Sequence, residues 1–162
     1  MENKTILEKE IDLIQACISR MAQNSFIVKG WLITLVTVIL ALLPDKVDAK
    51  ILCGVVIVAT LCFWYLDAYF LRLERLYRWK YEWVITNRGN SLSYLYDLNP
   101  KNQEMWVMDK DNKAKKIPSI VRVMFSESLV PLYAIIIVAA MVIILYLAMQ
   151  GLPVKMEPIS AT

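Results

Sequence analysis

Three long apolar runs dominate the chain: residues 26–43, 51–71 and 129–149. The first contains a single charge, Lys29, the second a single charge, Asp67, and the third none. A helix rises about 1.5 Å per residue, so about 20 apolar residues cross a hydrocarbon core of about 30 Å. Backbone amides in lipid must be satisfied within their own segment, so each run is expected to be a transmembrane helix.

The pattern before the first run is different. Leu7, Ile11, Ile14, Ile18 and Met21 recur at spacings of four and three, with Glu8, Lys9, Glu10, Asp12 and Arg20 between them. This predicts an amphipathic helix with a narrow apolar seam. Its acids suit packing on a partner helix better than lying on a bilayer, which favours basic polar faces. After the second run, Leu73, Leu76, Tyr77, Tyr81 and Val84 keep the helical period while Arg72, Glu74, Arg75, Arg78, Lys80 and Glu82 add charge. One helix is therefore expected to leave the bilayer and end near residues 87–90, closed by Gly89 in the left-handed conformation. Asn99-Pro100, the polar stretch 109–116 and Pro118 mark loop, and Tyr94, Tyr96, Met105, Trp106 and Val107 leave a short helix and a small hairpin both open. Ser126 or Ser128 is expected to cap the third span, with Pro131 in its first turn.

The predicted fold class is an all-α integral membrane protein. Its parts are an N-terminal helix (1–25), a hairpin of two spans (26–71), a basic segment (72–128), a third span (129–149) and a tail (150–162). Composition agrees, with 58% hydrophobic residues among 162. The first 25 residues mix acids and bases, and the first run ends at Pro44-Asp45 without a small-residue cleavage site, so it reads as a retained anchor and not a signal peptide. Orientation follows the excess of Lys and Arg in flanking loops. Residues 72–122 hold Arg72, Arg75, Arg78, Lys80, Arg88, Lys101, Lys110, Lys113, Lys115, Lys116 and Arg122. The turn 44–50 balances Lys46 and Lys50 against Asp45 and Asp48, and the tail has Lys155 alone. The N-terminus and the 72–128 segment are expected on the cytoplasmic side, with the turn and C-terminus outside.

The chain offers little for catalysis. It has no histidine, which removes the commonest general base and metal ligand. Cys17, Cys53 and Cys62 lack disulfide or zinc spacing, and no phosphate loop or nucleophile elbow is present. Neither enzyme activity, metal nor cofactor is expected.

The candidate functional residues lie in and beside the spans. Lys29 and Asp67 each fall about one turn inside the cytoplasmic end of antiparallel spans, so they are candidates for an interhelical ion pair. Snorkelling of Lys29 and pairing of Asp67 with the interface or a nearby Arg is the other reading. Gly30, Thr34, Thr37 and Ala41 make one small-residue face, a helix-packing surface or, in an oligomer, a pore lining. Trp31, Trp64, Tyr65 and Tyr69 read as an interfacial belt, and Trp79 and Trp83 as rings that bury against the N-terminal helix or another subunit. Arg72, Arg75, Arg78 and Lys80 suit anionic lipid. They also alternate with aromatics as in nucleic-acid stacking platforms, but a net charge of +3 beside a membrane favours topology, and a nucleic-acid partner is not expected. The Lys113–Lys116 cluster reads as a solvated loop.

Two stretches, residues 21–31 with Asn24-Ser25-Phe26-x-x-Lys29-Gly30-Trp31 and residues 63–78 with Phe63-Trp64-x-Leu66-Asp67-Ala68-Tyr69-x-x-Arg72-x-Glu74-Arg75, stand out together. With Phe125-Ser126 before the last run, they resemble a widespread group of small bacterial three-span membrane proteins. The layout is similar to SLATT effectors and to the accessory membrane proteins of RADAR and type VI CRISPR loci. The resemblance implies an inner-membrane homo-oligomer in antiviral defence, working with a cytoplasmic protein from the same locus. Two roles stay open: an effector that perturbs the membrane on activation, or an anchor that recruits a soluble partner.

Overall fold

The structure is a computed structural model that describes residues 2–41, 49–102 and 115–150. Every regular element among them is a helix: α1 (Glu2–Ala41), α2 (Ala49–Asn87), α3 (Ile120–Met124) and α4 (Val130–Gln150). The turn 44–48 with Lys46, the side chain of Lys50, Met105, Trp106, Val107, Lys110, Lys113 and the tail with Lys155 lie outside the described residues.

The predicted N-terminal helix and first apolar run are continuous, with no break near residue 25. α1 is one helix of 40 residues. No Pro or Gly interrupts it before Gly30, and within it the Ser25 hydroxyl donates across the interface to Asp67. α2 is likewise one helix of 39 residues, running from the second apolar run into the charged segment. At about 1.5 Å per residue both approach 60 Å, roughly twice a hydrocarbon core. α1 and α2 are long and apolar enough to cross a membrane. α4 has 21 residues and no charge.

α1 and α2 pack antiparallel along their length. Ile39 clusters with Val56, Ser25 meets Asp67, Ile14 meets Val84, and Glu10 meets Arg88. The buried positions of α1, Glu10, Ile14, Cys17, Ser25, Val28, Leu32 and Ile39, step by three or four or multiples of such steps, the signature of a helix that keeps one face on a neighbour. Leu7, Ile11 and Ile18 pack around Ile14 against Tyr81, Trp83 and Val84, so the apolar seam covers the charged half of α2. α4 docks beside the apolar halves, with Tyr133 in a cluster with Leu32 and Trp64, and Ala140 in one with Ile39 and Val56. A cavity of about 170 Å³ between Val36, Val56 and Ile136 is lined only by apolar side chains and Cys53.

The apolar halves turn large side chains outward. Phe26, Trp31, Ile33, Val38, Ile51, Val58, Ile135, Val142 and Tyr146 are all exposed. Only 22% of the most apolar window of α1 and 33% of that of α2 is buried, far from the pattern of a core helix in water.

α2 closes differently from the expectation. Among the described residues no glycine has a positive φ; the left-handed residues are Tyr94 (φ 57°) and Tyr96 (φ 55°). The last carbonyls of α2 are taken up by Arg88 N–H on Val84 and by Asn90 and Ser91 N–H on Asn87. The chain then forms turns through residue 102. Before α4, the Ser126 carbonyl accepts from Leu129 and Val130 N–H, while the Ser126 and Ser128 hydroxyls face each other at 3.3 Å. The short α3 is capped by the Ser119 hydroxyl on Arg122 N–H.

Candidate functional site

A buried carboxylate lies where α1, α2 and α4 meet. Asp67 has no exposed side-chain surface, and Lys29 Nζ lies 2.7 Å from its Oδ2, the Lys29 side chain being 27% exposed. Tyr133 donates its hydroxyl to the same Oδ2 at 2.8 Å, and Ser25 donates to Oδ1. Lys29 also donates to Ser25 Oγ at 2.8 Å. Three donors therefore converge from α1 and α4 on one anion of α2. A buried charge costs several kcal/mol unless paired and hydrogen-bonded, and here both oxygens are engaged. Ser25 sits one turn before Lys29 and so presents its hydroxyl on the same face.

Aromatic packing holds the α4 side of this node. The Trp64 ring stacks on Tyr133 at 5.6 Å with an interplanar angle of 3°, and meets Phe125 edge-on at 5.4 Å. Its Nε1 donates to the Met124 carbonyl at 2.9 Å. Trp64 is thus a buried core residue and not part of an interfacial belt; Trp31 and Tyr65 are exposed. The three stretches that carry the resemblance, around Lys29, Asp67 and Phe125, meet in this one place.

A second buried ion pair lies at the far end of the hairpin. Arg88 Nε donates to Glu10 Oε2 at 2.6 Å and Nη2 to Oε1 at 2.5 Å, with both side chains almost fully buried. Nη1 donates to the carbonyls of Ser91 and Ser93 at 3.0 and 2.8 Å, and Nη2 to that of Tyr94 at 3.4 Å. These contacts use all five N–H groups of the guanidinium. The guanidinium also sits over the Trp83 ring at 5.7 Å, and Tyr94 meets Trp83 edge-on. Left-handed tyrosines cost roughly 1 kcal/mol or more each, and this network holds the turn that contains them. Glu10, expected on the polar face, is a seam residue. The signal was available, because Leu7, Glu10, Ile14, Cys17 and Met21 form a seam as regular as the purely apolar one.

Lys80 is buried and does not face lipid headgroups as expected. Its Nζ lies 3.5 Å from Asp97 Oδ2 and donates to the Asn99 carbonyl at 3.1 Å. Burial pushes the Lys80 ammonium below its ordinary pKa, an effect that Asp97 opposes. At Asp97, burial raises the carboxyl, but donors from Asn102, the Asn99 backbone and Lys80 outweigh it, and the net shift is down. Tyr77 donates to the Leu98 carbonyl at 3.3 Å, and burial together with the Cys17 thiol holds its phenol protonated to higher pH. The 97–102 turn is therefore clamped to α2.

The other candidates spread out. Arg78 pairs with Glu74 at 2.7 Å on the surface, and Arg72 is half-buried with an Nε that has no hydrogen-bond partner. Lys115 bonds Glu82 at 3.1 Å and covers Trp79 at 5.5 Å, so this part of the expected solvated cluster is docked. Gly30, Thr34, Thr37 and Ala41 are all exposed, Thr34 in a surface depression that Phe63 of α2 also lines. Both threonine hydroxyls bond back to carbonyls one turn earlier, Gly30 and Ile33. Cys17, Cys53 and Cys62 are free thiols, and among the described residues no three potential metal ligands cluster.

Comparison with protein-family models, curated protein sequences and solved structures finds no match to this chain.

Proposed function

We propose that the chain is a three-span inner-membrane protein with a cytoplasmic hairpin, acting without enzymatic chemistry as an oligomeric effector of prokaryotic antiviral defence. The observation that carries this reading is the continuity of α1 and α2. The helices that would cross the bilayer also form the hairpin outside it, joined by one polar node at Asp67 and another at Arg88. A displacement at the hairpin tip therefore reaches the spans without a flexible joint among the described residues.

Embedding of all three spans is supported by the outward apolar side chains of α1, α2 and α4 and by the 21 uncharged residues of α4. The cytoplasmic placement of the N-terminus and hairpin rests on the basic residues of 72–122. The exposed face of Gly30, Thr34, Thr37 and Ala41 supports association between copies, since small residues let helices approach closely in lipid.

A specific observation also favours an anchor that recruits a partner without changing permeability. Ser25, Lys29, Thr34, Thr37, Thr60, Asp67 and Tyr133 all spend hydrogen bonds within the chain. The deciding measurement is membrane potential, read with a voltage-sensitive dye in cells with the intact locus and cells lacking this gene, before and after phage challenge. Gene-dependent depolarisation is expected. Unchanged potential with lost protection would replace the effector with the anchor, and unchanged protection would remove the defence reading.

A further inference from the structure

We infer that the turn 91–98 at the tip of the hairpin is a docking surface for a separate soluble protein that presents an apolar contact flanked by carboxylates. This rests on the reading above, in which a cytoplasmic signal enters through the hairpin, and names where it enters and what recognises it.

The turn is built inside out. Its carbonyls point inward, those of Ser91, Ser93 and Tyr94 onto Arg88 and that of Leu98 onto Tyr77. Its apolar side chains point outward, with Leu92 58% exposed, Tyr96 40%, Leu95 37% and Leu98 37%, beside Ile85 at 50% on the last turns of α2. A short turn in water that presents this much apolar surface, on a backbone fixed by a buried ion pair and two left-handed tyrosines, is organised for contact.

Position and charge select the occupant. Tyr94 packs on Trp83, which at about 1.5 Å per residue lies about 18 Å beyond the end of the second apolar run, too far for acyl chains to cover Leu92 and Leu95. Of the turn's rings, Tyr94 lies edge-on to Trp83 and Tyr96 stands alone among leucines, which is no continuous platform for stacked bases. The acids of α2 and the turn are already used, Glu74 by Arg78, Glu82 by Lys115 and Asp97 by Lys80. Exposed Lys101 and Lys116 are not consumed by these pairs, while Lys9 and Asp12 on α1 offset each other. A second copy would bring the same lysines and repel, whereas carboxylates beside an apolar contact complement both features.

The test places a photo-crosslinking benzophenone amino acid at position 92 or 95 of the full chain in its native host, with position 65 on the exposed face of α2 as control. Irradiation is expected to join the 92 and 95 variants, and not the control, to one soluble protein. That protein, purified, is expected to bind the full chain in nanodiscs. Leu92→Asp and Lys101→Glu should each weaken binding at least about tenfold, and added salt should weaken it further. Helicity measured alongside separates lost binding from lost folding. An adduct of twice the chain mass, a lipid adduct, a cross-link only within the chain, or no adduct would overturn the proposal. So would an affinity indifferent to Lys101→Glu and salt. The dye measurement judges the effector reading separately: a cross-linked partner without depolarisation sinks the effector alone, and depolarisation without a partner sinks the docking surface alone.

Discussion

The two buried ion pairs of the α1–α2 hairpin solve the same problem in different surroundings. At the tip, both partners are almost fully buried and the guanidinium fork of Arg88 is saturated by Glu10 and three carbonyls. At the Asp67 node the acid is fully buried but the base keeps 27% of its side chain exposed. Arginine stays charged and requires a complete rigid cage; lysine is a point charge on a flexible stem that can also reach headgroups. The tip pair is therefore a fixed joint, and the Lys29–Asp67 pair is one whose basic member has somewhere else to go.

The contrast sharpens into an order of effects. The largest belongs to Glu10→Gln, which leaves Arg88 buried without its anion and should cost about 3 to 5 kcal/mol. Denaturation of the protein in detergent should show this loss, and replacing both partners, Glu10→Leu with Arg88→Met, should recover much of it. Next comes an asymmetry at the node. Lys29→Met strands a buried carboxylate and should cost several kcal/mol, whereas Asp67→Asn leaves a lysine able to snorkel and should cost less. Equal losses would remove the distinction between the two sites. Smaller again is Tyr133→Phe, which deletes one donor to Asp67 but keeps the stack on Trp64, for a loss of about 1 to 2 kcal/mol.

The smallest effect is one of pH on the 97–102 turn. Asp97 has a folded pKa below its unfolded value, so its contribution is present above the ordinary carboxyl pKa and disappears as pH falls through the lower folded value. Lys80, also shifted down, disfavours the folded turn while it is charged, and this eases only at alkaline pH. Protection of the amides at residues 97–102, taken relative to the intrinsic exchange rate at each pH, should therefore fall below about pH 4 and hold steady toward neutrality.

What the sequence disclosed follows how far each feature depends on distant partners. Apolar length sets out the helices, and equal depth brings Lys29 and Asp67 forward as a pair. Ser25 and Tyr133 were not legible as ligands, because a hydroxyl in an apolar run carries no mark of the carboxylate it meets 42 or 66 residues away. Glu10 was hidden by assigning every charge to the solvent face. Arg88 and Lys80 were hidden among basic residues that also serve topology. Gly89 offered the obvious helix stop, yet the left-handed positions fall on Tyr94 and Tyr96, in a turn where Arg88 holds the carbonyls of Ser91, Ser93 and Tyr94. That preference is tertiary and cannot be read from the turn itself.

The most direct test of this account is a double-mutant cycle at the node, with unfolding free energies of Lys29→Met, Asp67→Asn and the two combined. A pair that joins α1 to α2 predicts that the double variant is more stable than Lys29→Met alone, because the second change removes the stranded charge while Asn still bonds Ser25 and Tyr133. Additive losses, with the double variant the least stable of the three, would contradict it.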